Sequence, residues 1–149
     1  MPFIVTLLAL GLPDTINYGT VNATKVSDEN ITNVTNYGNV EIDVSLEGYA
    51  VTEGDGLAMN CTLGSVGEIN VSFQKYNITN STPGTLNLGE FEGAYENLTG
   101  DAVTEDFNLN FRQSDIINDA TNETYWRIYV PRGVAGTCAG NIIFGAVAS

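Results

Sequence analysis

The clearest structural signal in this chain is the stretch Val40-Glu41-Ile42-Asp43-Val44-Ser45-Leu46. Apolar residues stand at every second position, and polar residues fill the positions between them. Successive side chains of a β-strand point to opposite faces, so the alternation predicts a strand with one buried and one solvated face. Sustained helical periodicity occurs nowhere in the 149 residues, which indicates a chain organised by strand pairing.

The same period-two pattern recurs along the rest of the chain. It is clear in Ile69–Phe73, Phe107–Phe111 and Trp126–Val130, and weaker in Thr15–Val21, Ile31–Thr35, Leu57–Cys61, Leu86–Phe91 and Asn141–Val147. Gly- and Asp-rich clusters such as Glu53–Gly56 separate these runs as turns, and Ser114–Ala120 is compatible with one helical turn. About nine short strands predict an all-β fold, an antiparallel β-sandwich of Ig-like or jelly-roll-like type, with a closed barrel as the alternative.

Composition limits the classes of function. The chain has 18 acidic and five basic residues and a net charge of -13, so it cannot form the Lys/Arg patch that nucleic acid or anionic lipid requires. It has no histidine, no G-x-x-x-x-G-K-[ST] loop and no G-x-G-x-x-G motif. We therefore expect neither enzymatic activity nor a bound cofactor.

Acidic turns and surface aromatic residues leave two binding alternatives. Calcium is the metal that such turns favour, although no spacing matches an EF-hand; the candidate ligands are Glu53 and Asp55, or Asp101, Glu105 and Asp106. Solvated surface is the expected role of these carboxylates. The second alternative is a carbohydrate-binding platform of Tyr125, Trp126 and Tyr129, but strand phase places Trp126 in the core.

Nine Asn-x-Ser/Thr sequons without a middle proline occur, at Asn22, Asn30, Asn33, Asn60, Asn70, Asn77, Asn80, Asn97 and Asn122. From 17 asparagines and 23 Ser/Thr residues, chance predicts roughly two or three. Where strand phase can be read, at Asn60 and Asn70, the asparagine points outward, as a glycan requires. Sequon density therefore predicts an extracellular N-glycoprotein, and accidental triplets in an Asn- and Thr-rich chain are the alternative.

Two cysteines, Cys61 and Cys138, make up the thiols of this chain. An even count in a secreted protein indicates a disulfide, and two unrelated buried thiols are the alternative. The bond would close a loop of about 77 residues and stabilise the fold by roughly 4 kcal/mol in the chain-entropy relation.

The N-terminal segment is apolar on both faces. It comprises Phe3, Ile4, Val5, Thr6, Leu7, Leu8, Ala9 and Leu10, with Thr6 as its polar member. It lacks the basic start and the small-residue cleavage site of a signal peptide, and it is too short to span a bilayer. Such a strand must be buried on both sides, either in its own domain or as a donor strand in a neighbouring subunit. We expect a donor strand within residues 1–12 and a sandwich domain over residues 13–149.

Three stretches resemble secreted Ig-like sandwiches. Ile16-Asn17-Tyr18-Gly19-Thr20-Val21 and Val34–Val44 are similar to strands of bacterial TasA/camelysin-like biofilm-matrix proteins and archaeal surface proteins, and Trp126–Phe144 is similar to the C-terminal strands of secreted archaeal proteins. In archaeal threads and bundling pili, such sandwiches polymerise through N-terminal donor strands. The resemblance implies a non-catalytic subunit of a cell-surface fibril whose partner is itself, as a head-to-tail homopolymer. A surface adhesin or carbohydrate-binding module is the alternative function.

Overall fold

The computed structural model describes residues 8–113 and 120–149. Strands make up 49% and helix 7% of it, and the antiparallel sheets pack in a sandwich-like arrangement, which confirms the predicted fold class. The described strands are β1 (Leu10–Gly11), β2 (Lys25–Val26), β3 (Asn30–Asn36), β4 (Ile42–Tyr49), β5 (Leu57–Gly64), β6 (Glu68–Asn70), β7 (Gln74–Asn77), β8 (Glu96–Asn97), β9 (Val103–Leu109), β10 (Thr121–Val130), β11 (Val134–Ala139) and β12 (Asn141–Ala148), and the α-helix is α1 (Leu88–Ala94).

Six strands form the largest sheet, in the order β1-β3-β10-β7-β8, with β2 pairing to the far end of β10. Its central strand, β10, pairs with β3 from Thr121 opposite Thr35 to Trp126 opposite Asn30. As the sequence predicts, Trp126, Ile128 and Val130 are all buried on one face of β10, here called the inner face.

Two three-stranded sheets pack against the inner face, and each builds a core. Sheet β12-β4-β9 contributes to the first core, in which Trp126 packs with Val34, Ile42, Val44, Leu46, Tyr76, Leu98, Phe107 and Leu109. Sheet β11-β5-β6 contributes to the second, formed by Ala58, Ile69, Ile128, Val130 and Val134. Strand β10 therefore runs through both cores and ties the three sheets together.

A helix stands where a strand over Leu86–Phe91 was predicted, so that prediction is wrong. Asn87 Oδ1 accepts the N–H of Glu90 at 2.8 Å, and Glu90 Oε1 accepts the N–H of Asn87 at 3.1 Å. This reciprocal capping box satisfies backbone donors at the helix start and favours a helix over an extended chain. Helix α1 buries Phe91 completely on the outer face of the large sheet.

Three other predicted strands differ from the structure. Phe107–Phe111 is a strand only as far as Leu109, where β9 ends. Thr15–Val21 forms no strand, because Gly19 adopts a φ of +71° and donates its N–H to Asn17 Oδ1 in a local turn. Ile69–Phe73 is a strand only as far as Asn70, which caps a 3-10 turn over Val71–Phe73. The helical turn predicted over Ser114–Ala120 falls on residues 114–119, outside the described residues.

The predicted disulfide is confirmed. Cys61 on β5 and Cys138 on β11 are joined by an S–S bond of 2.05 Å, and both half-buried residues pack against the second core. Asn60, the neighbour of Cys61, is exposed as its strand phase predicts. The bond joins β5 to β11, and Cys138 also lines a groove on the protein surface.

Candidate functional site

A groove of about 770 Å³ lies at the junction of the two small sheets. Side chains from both cores and from the inner face of β10 line it. The apolar ones include Met59, Ile69, Ile128, Val130, Val134 and Phe144, of which Met59 and Phe144 are half-buried and the other four are buried.

Both strands that border the groove are edge strands. Within the described residues, β11 pairs with β5 alone and β12 pairs with β4 alone, and both contribute residues to the groove lining. The second edge of each strand carries N–H and C=O groups that can pair with a further strand. β12 is eight residues long and β11 six, which gives space for an extended segment of similar length.

Residues 12–21 run along the groove without joining a sheet. Ile16 packs against the first core, Val21 against the second, and Tyr18 against both. The Tyr18 hydroxyl accepts a hydrogen bond from Gln74 Nε2 at 2.8 Å, and burial raises the pKa of Tyr18. This segment is therefore held by side-chain packing and does not itself pair with the free edge of β11 or of β12.

The predicted donor strand Phe3–Leu10 is described only at its end. Leu10 pairs with Asn36 of β3, Ala9 accepts the backbone N–H of Tyr37 at 2.9 Å, and Leu8 is 42% exposed. Phe3, Ile4, Val5, Thr6 and Leu7 lie outside the described residues.

All nine sequon asparagines reach the surface. Seven are exposed, and the other two, Asn30 and Asn77, are half-buried. The fully buried asparagine among the described residues is Asn36, which belongs to no sequon and whose Nδ2 donates to the carbonyls of Val40 and Leu109. Glycan attachment requires this accessibility.

Asp55, a predicted calcium ligand, instead organises a turn. Its two carboxylate oxygens accept the backbone N–H groups of Ala50, Val51, Thr52 and Leu57 at 2.9–3.2 Å. These bonds, that of Val51 first, lower the pKa of Asp55 to about 2. Within residues 8–113 and 120–149, no group of three or more His, Cys, Asp or Glu side chains is placed to hold a metal ion.

Glu105, from the second calcium candidate, pairs with Glu96 beside Tyr76. The Tyr76 hydroxyl donates to Glu105 Oε1 at 2.7 Å. Burial, followed by the hydrogen bond and charge of Glu105, raises the pKa of Glu96. Two adjacent carboxyl groups resist simultaneous ionisation, so this pair is a local source of electrostatic repulsion.

The suggested aromatic platform is divided between two faces of the sheet. Trp126 is fully buried on the inner face, whereas Tyr125 and Tyr129 are half-buried on the outer face. Tyr125 donates its hydroxyl to Glu123 at 2.8 Å, and the ring of Tyr129 lies 5.4 Å from that of Phe73. The three rings therefore do not offer one common surface to a sugar.

Sequence reasoning missed a buried cationic layer under α1. Arg127, only 1% exposed, donates from Nε to the Tyr95 hydroxyl at 2.9 Å and from Nη1 to the Ser27 carbonyl at 2.9 Å. Its Nη2 donates to the carbonyls of Thr82 and Gly84 at 2.6 and 2.8 Å.

Two further charges complete this layer. Glu29 accepts the Tyr95 hydroxyl at 2.5 Å, and Lys75, beside Arg127 on β7, lies 5.5 Å from the Phe91 ring centre. Burial lowers the pKa of Lys75. The sequence signal that points to this layer is the Asn87–Glu90 capping box, which marks the helix that covers it.

Comparison of the chain with protein-family models, curated proteins and solved structures finds no match. No helix within the described parts of the chain is long and apolar enough to cross a membrane. The features of the molecule that bear on its function are the groove, the free edges of β11 and β12, and the exposed sequon asparagines.

Proposed function

We propose that this protein is a non-catalytic structural subunit of an extracellular, N-glycosylated fibril. Its subunits join when segment Phe3–Leu8 of one copy enters the groove of the next copy as an added strand, while Ala9 and Leu10 stay bonded to their own domain. The observation that carries this proposal is the partly apolar groove bordered by β11 and β12, each of which pairs on one edge only among the described strands. Backbone hydrogen bonds to such an edge supply affinity, and pockets for alternate side chains supply specificity.

The proposed donor matches the groove in length and chemistry. The six extended residues Phe3–Leu8 span about 20 Å, the same number of residues as β11. One face of the segment would present Phe3, Val5 and Leu7 to the apolar lining, and the other would present Ile4 and Leu8 to whatever covers it. A strand that is apolar on both faces is suited to a site buried on both sides.

The proposed contact is heterologous, because the donor segment and the acceptor groove are different surfaces of the same chain. Heterologous contacts that do not close into a ring generate open filaments. The confirmed disulfide is compatible with export, since such bonds persist in oxidising compartments. Sequon asparagines at the surface support the glycoprotein part of the proposal.

The test is to remove the donor segment while keeping the sheet contact of β1. We expect the full chain to form filaments visible by negative-stain microscopy, and the chain lacking residues 1–8 to remain folded and monomeric. A synthetic peptide of residues 1–10 should bind the truncated chain. Filaments of the truncated protein would show that assembly uses another surface.

A matched pair of substitutions separates the donor from general surface apolarity. Val5→Asp puts a carboxylate on the donor segment and should abolish filaments. Val51→Asp makes the same change at a residue that is 68% exposed and does not line the groove, and it should leave filaments intact. Equal effects of the two changes would argue against donor-strand assembly.

A further inference from the structure

We infer that the folded domain presents Asn70 for N-glycosylation, whereas Asn33, Asn60 and Asn122 can accept a glycan only before their strands pair. This inference rests on the glycosylation proposed above and adds the order in which sequons become modified. It follows from where each sequon places the hydroxyl of its third residue.

At Asn70 the sequon leaves its strand and turns back on itself. Asn70 is the exposed last residue of β6, opposite Leu57, and Val71 and Ser72 lie half-buried in the 3-10 turn that follows. Asn70 Oδ1 accepts both the N–H and the hydroxyl of Ser72 at 3.0 Å. The third-residue hydroxyl therefore touches the carboxamide that must react. The side chain is exposed, and no described residue accepts a hydrogen bond from its Nδ2.

Asn77 has the same local turn but a tethered nitrogen. Its Oδ1 accepts the N–H and the hydroxyl of Thr79 at 2.9 Å each. However, Asn77 is half-buried, and its Nδ2 donates to the carbonyl of Ala94 at the end of α1 at 3.2 Å. Asn77 therefore serves as an internal comparison that separates the turn from the accessibility of the nitrogen.

In the three sequons that lie within strands, the hydroxyl oxygen of the third residue is hydrogen-bonded to a neighbouring strand. In the Asn33 sequon, the Thr35 hydroxyl bonds to that of Thr121 at 2.9 Å, and in the Asn60 sequon, Thr62 Oγ1 accepts the N–H of Thr137 at 2.9 Å. In the Asn122 sequon, Thr124 is fully buried, donates to the Thr32 carbonyl and accepts Trp126 Nε1. Their backbones are also fixed in ladders. A transferase cannot bend such a tripeptide without opening the sheet.

The reaction itself needs the free amide nitrogen. Asparagine Nδ2 forms a bond to the anomeric carbon of a sugar carried on a polyisoprenyl phosphate-type donor. The bond from that carbon to the phosphate oxygen breaks, the phosphate leaves with the electron pair, and a carboxylate of the transferase takes the amide proton. At Asn70 the nitrogen is available, and at Asn77 it is held by Ala94.

The experiment uses the full chain, produced without glycans and with its disulfide formed. Folded protein and reduced, unfolded protein are each incubated with an oligosaccharyltransferase and a lipid-linked oligosaccharide, and occupancy is measured by glycopeptide mass spectrometry. In the folded protein, the initial rate at Asn70 should exceed that at Asn33, Asn60 and Asn122 by at least about tenfold, because central strands open rarely. Unfolding should bring the rates within a few-fold of one another.

Each remaining outcome is decisive. Rates at Asn33, Asn60 or Asn122 that match Asn70 in the folded protein overturn the inference but leave the glycosylation proposal standing. A rate at Asn77 equal to that at Asn70 overturns the assignment of Asn70 through its free nitrogen. No modification in either state overturns both the inference and the glycosylation on which it rests. Ser72→Ala is the negative control for the Asn70 sequon.

Discussion

The outer face of the large sheet is sealed, while its inner face ends at an open groove. On the outer face, helix α1 buries Phe91 and covers the guanidinium of Arg127, each of whose three nitrogens donates to a protein acceptor. On the inner face, both apolar cores border a groove of about 770 Å³ between two edge strands. A helix thus covers one face, whereas on the other face no strand from residues 8–113 or 120–149 pairs with the free edges of β11 and β12.

The difference is informative because a chain segment already lies at the groove. Residues 12–21 run along it, yet they do not pair with β11 or β12. Edge strands beside an apolar surface are an aggregation hazard that natural proteins usually cover. The contrast supports the proposal that a strand from a second copy covers this edge.

Loss of the buried cation should have the largest effect on stability. Arg127→Ala leaves Glu29 without its cationic neighbour, and the Tyr95 hydroxyl and three backbone carbonyls without their donor. Removing one partner of such a buried charged network costs roughly 3–5 kcal/mol. We expect a decrease of that size in the free energy of unfolding, measured by urea denaturation of the truncated monomer.

The matched control for this change is Arg132→Ala. Arg132 is exposed, so its removal should change the free energy of unfolding by less than about 0.5 kcal/mol. If Arg127→Ala were equally mild, the outer layer would be held by Phe91 and the capping box rather than by the guanidinium.

The sequence predicts the paired parts of this fold better than the covering parts. Alternation around Ile42 and Trp126 identifies β4 and β10, because period two is visible within one strand. Helix α1 has seven residues, too few to establish helical periodicity, and only its capping box shows in the sequence. Arg127 occupies an outward strand phase and reads as solvent-exposed, since the segment that covers it lies some 30 to 45 residues earlier.

The candidate site likewise has one part that the sequence predicts, the sequon asparagines, and one part that it does not predict, the groove. Outward phase at Asn60 and Asn70 follows from neighbouring apolar residues, and the structure places both on the surface. The groove could not be predicted, because it arises where β11 and β12, among the described strands, each pair on one edge only. The residues beside a free strand edge have no sequence pattern that reveals it. The segment Phe3–Leu10, in contrast, can be recognised in the sequence because it is apolar on both faces.

Two isoleucines in neighbouring strands sharpen the comparison between core and groove. Ile42 on β4 is fully buried, so Ile42→Ala should cost roughly 2–5 kcal/mol in the truncated monomer. Ile142 on β12 is half-buried at the groove, so Ile142→Ala should cost about 1 kcal/mol. Urea denaturation measures both.

The same pair tests whether the groove binds the donor segment. A peptide of residues 1–10 at 100 times its Kd should stabilise the truncated chain by about 2.7 kcal/mol. Ile142→Ala should weaken peptide binding, whereas Ile42→Ala, compared where it remains folded, should not. Peptide affinity unchanged by Ile142→Ala would place the peptide elsewhere.

The smallest expected effect concerns the carboxylate pair at the sheet end. The raised pKa of Glu96 means that the folded state holds its proton more tightly than the unfolded state, so ionisation opposes folding as pH rises above about 4.5. Glu96→Gln should therefore stabilise the domain at pH 7, by less than about 1 kcal/mol because the site is largely exposed to solvent. The gain should vanish below pH 4.5, where the wild-type carboxyl group is protonated in both states. Thermal unfolding across this pH range gives the result, with Glu53→Gln at an exposed turn as the control. A loss of stability at pH 7 would instead mean that the ionised Glu96 makes a favourable contact that outweighs repulsion from Glu105.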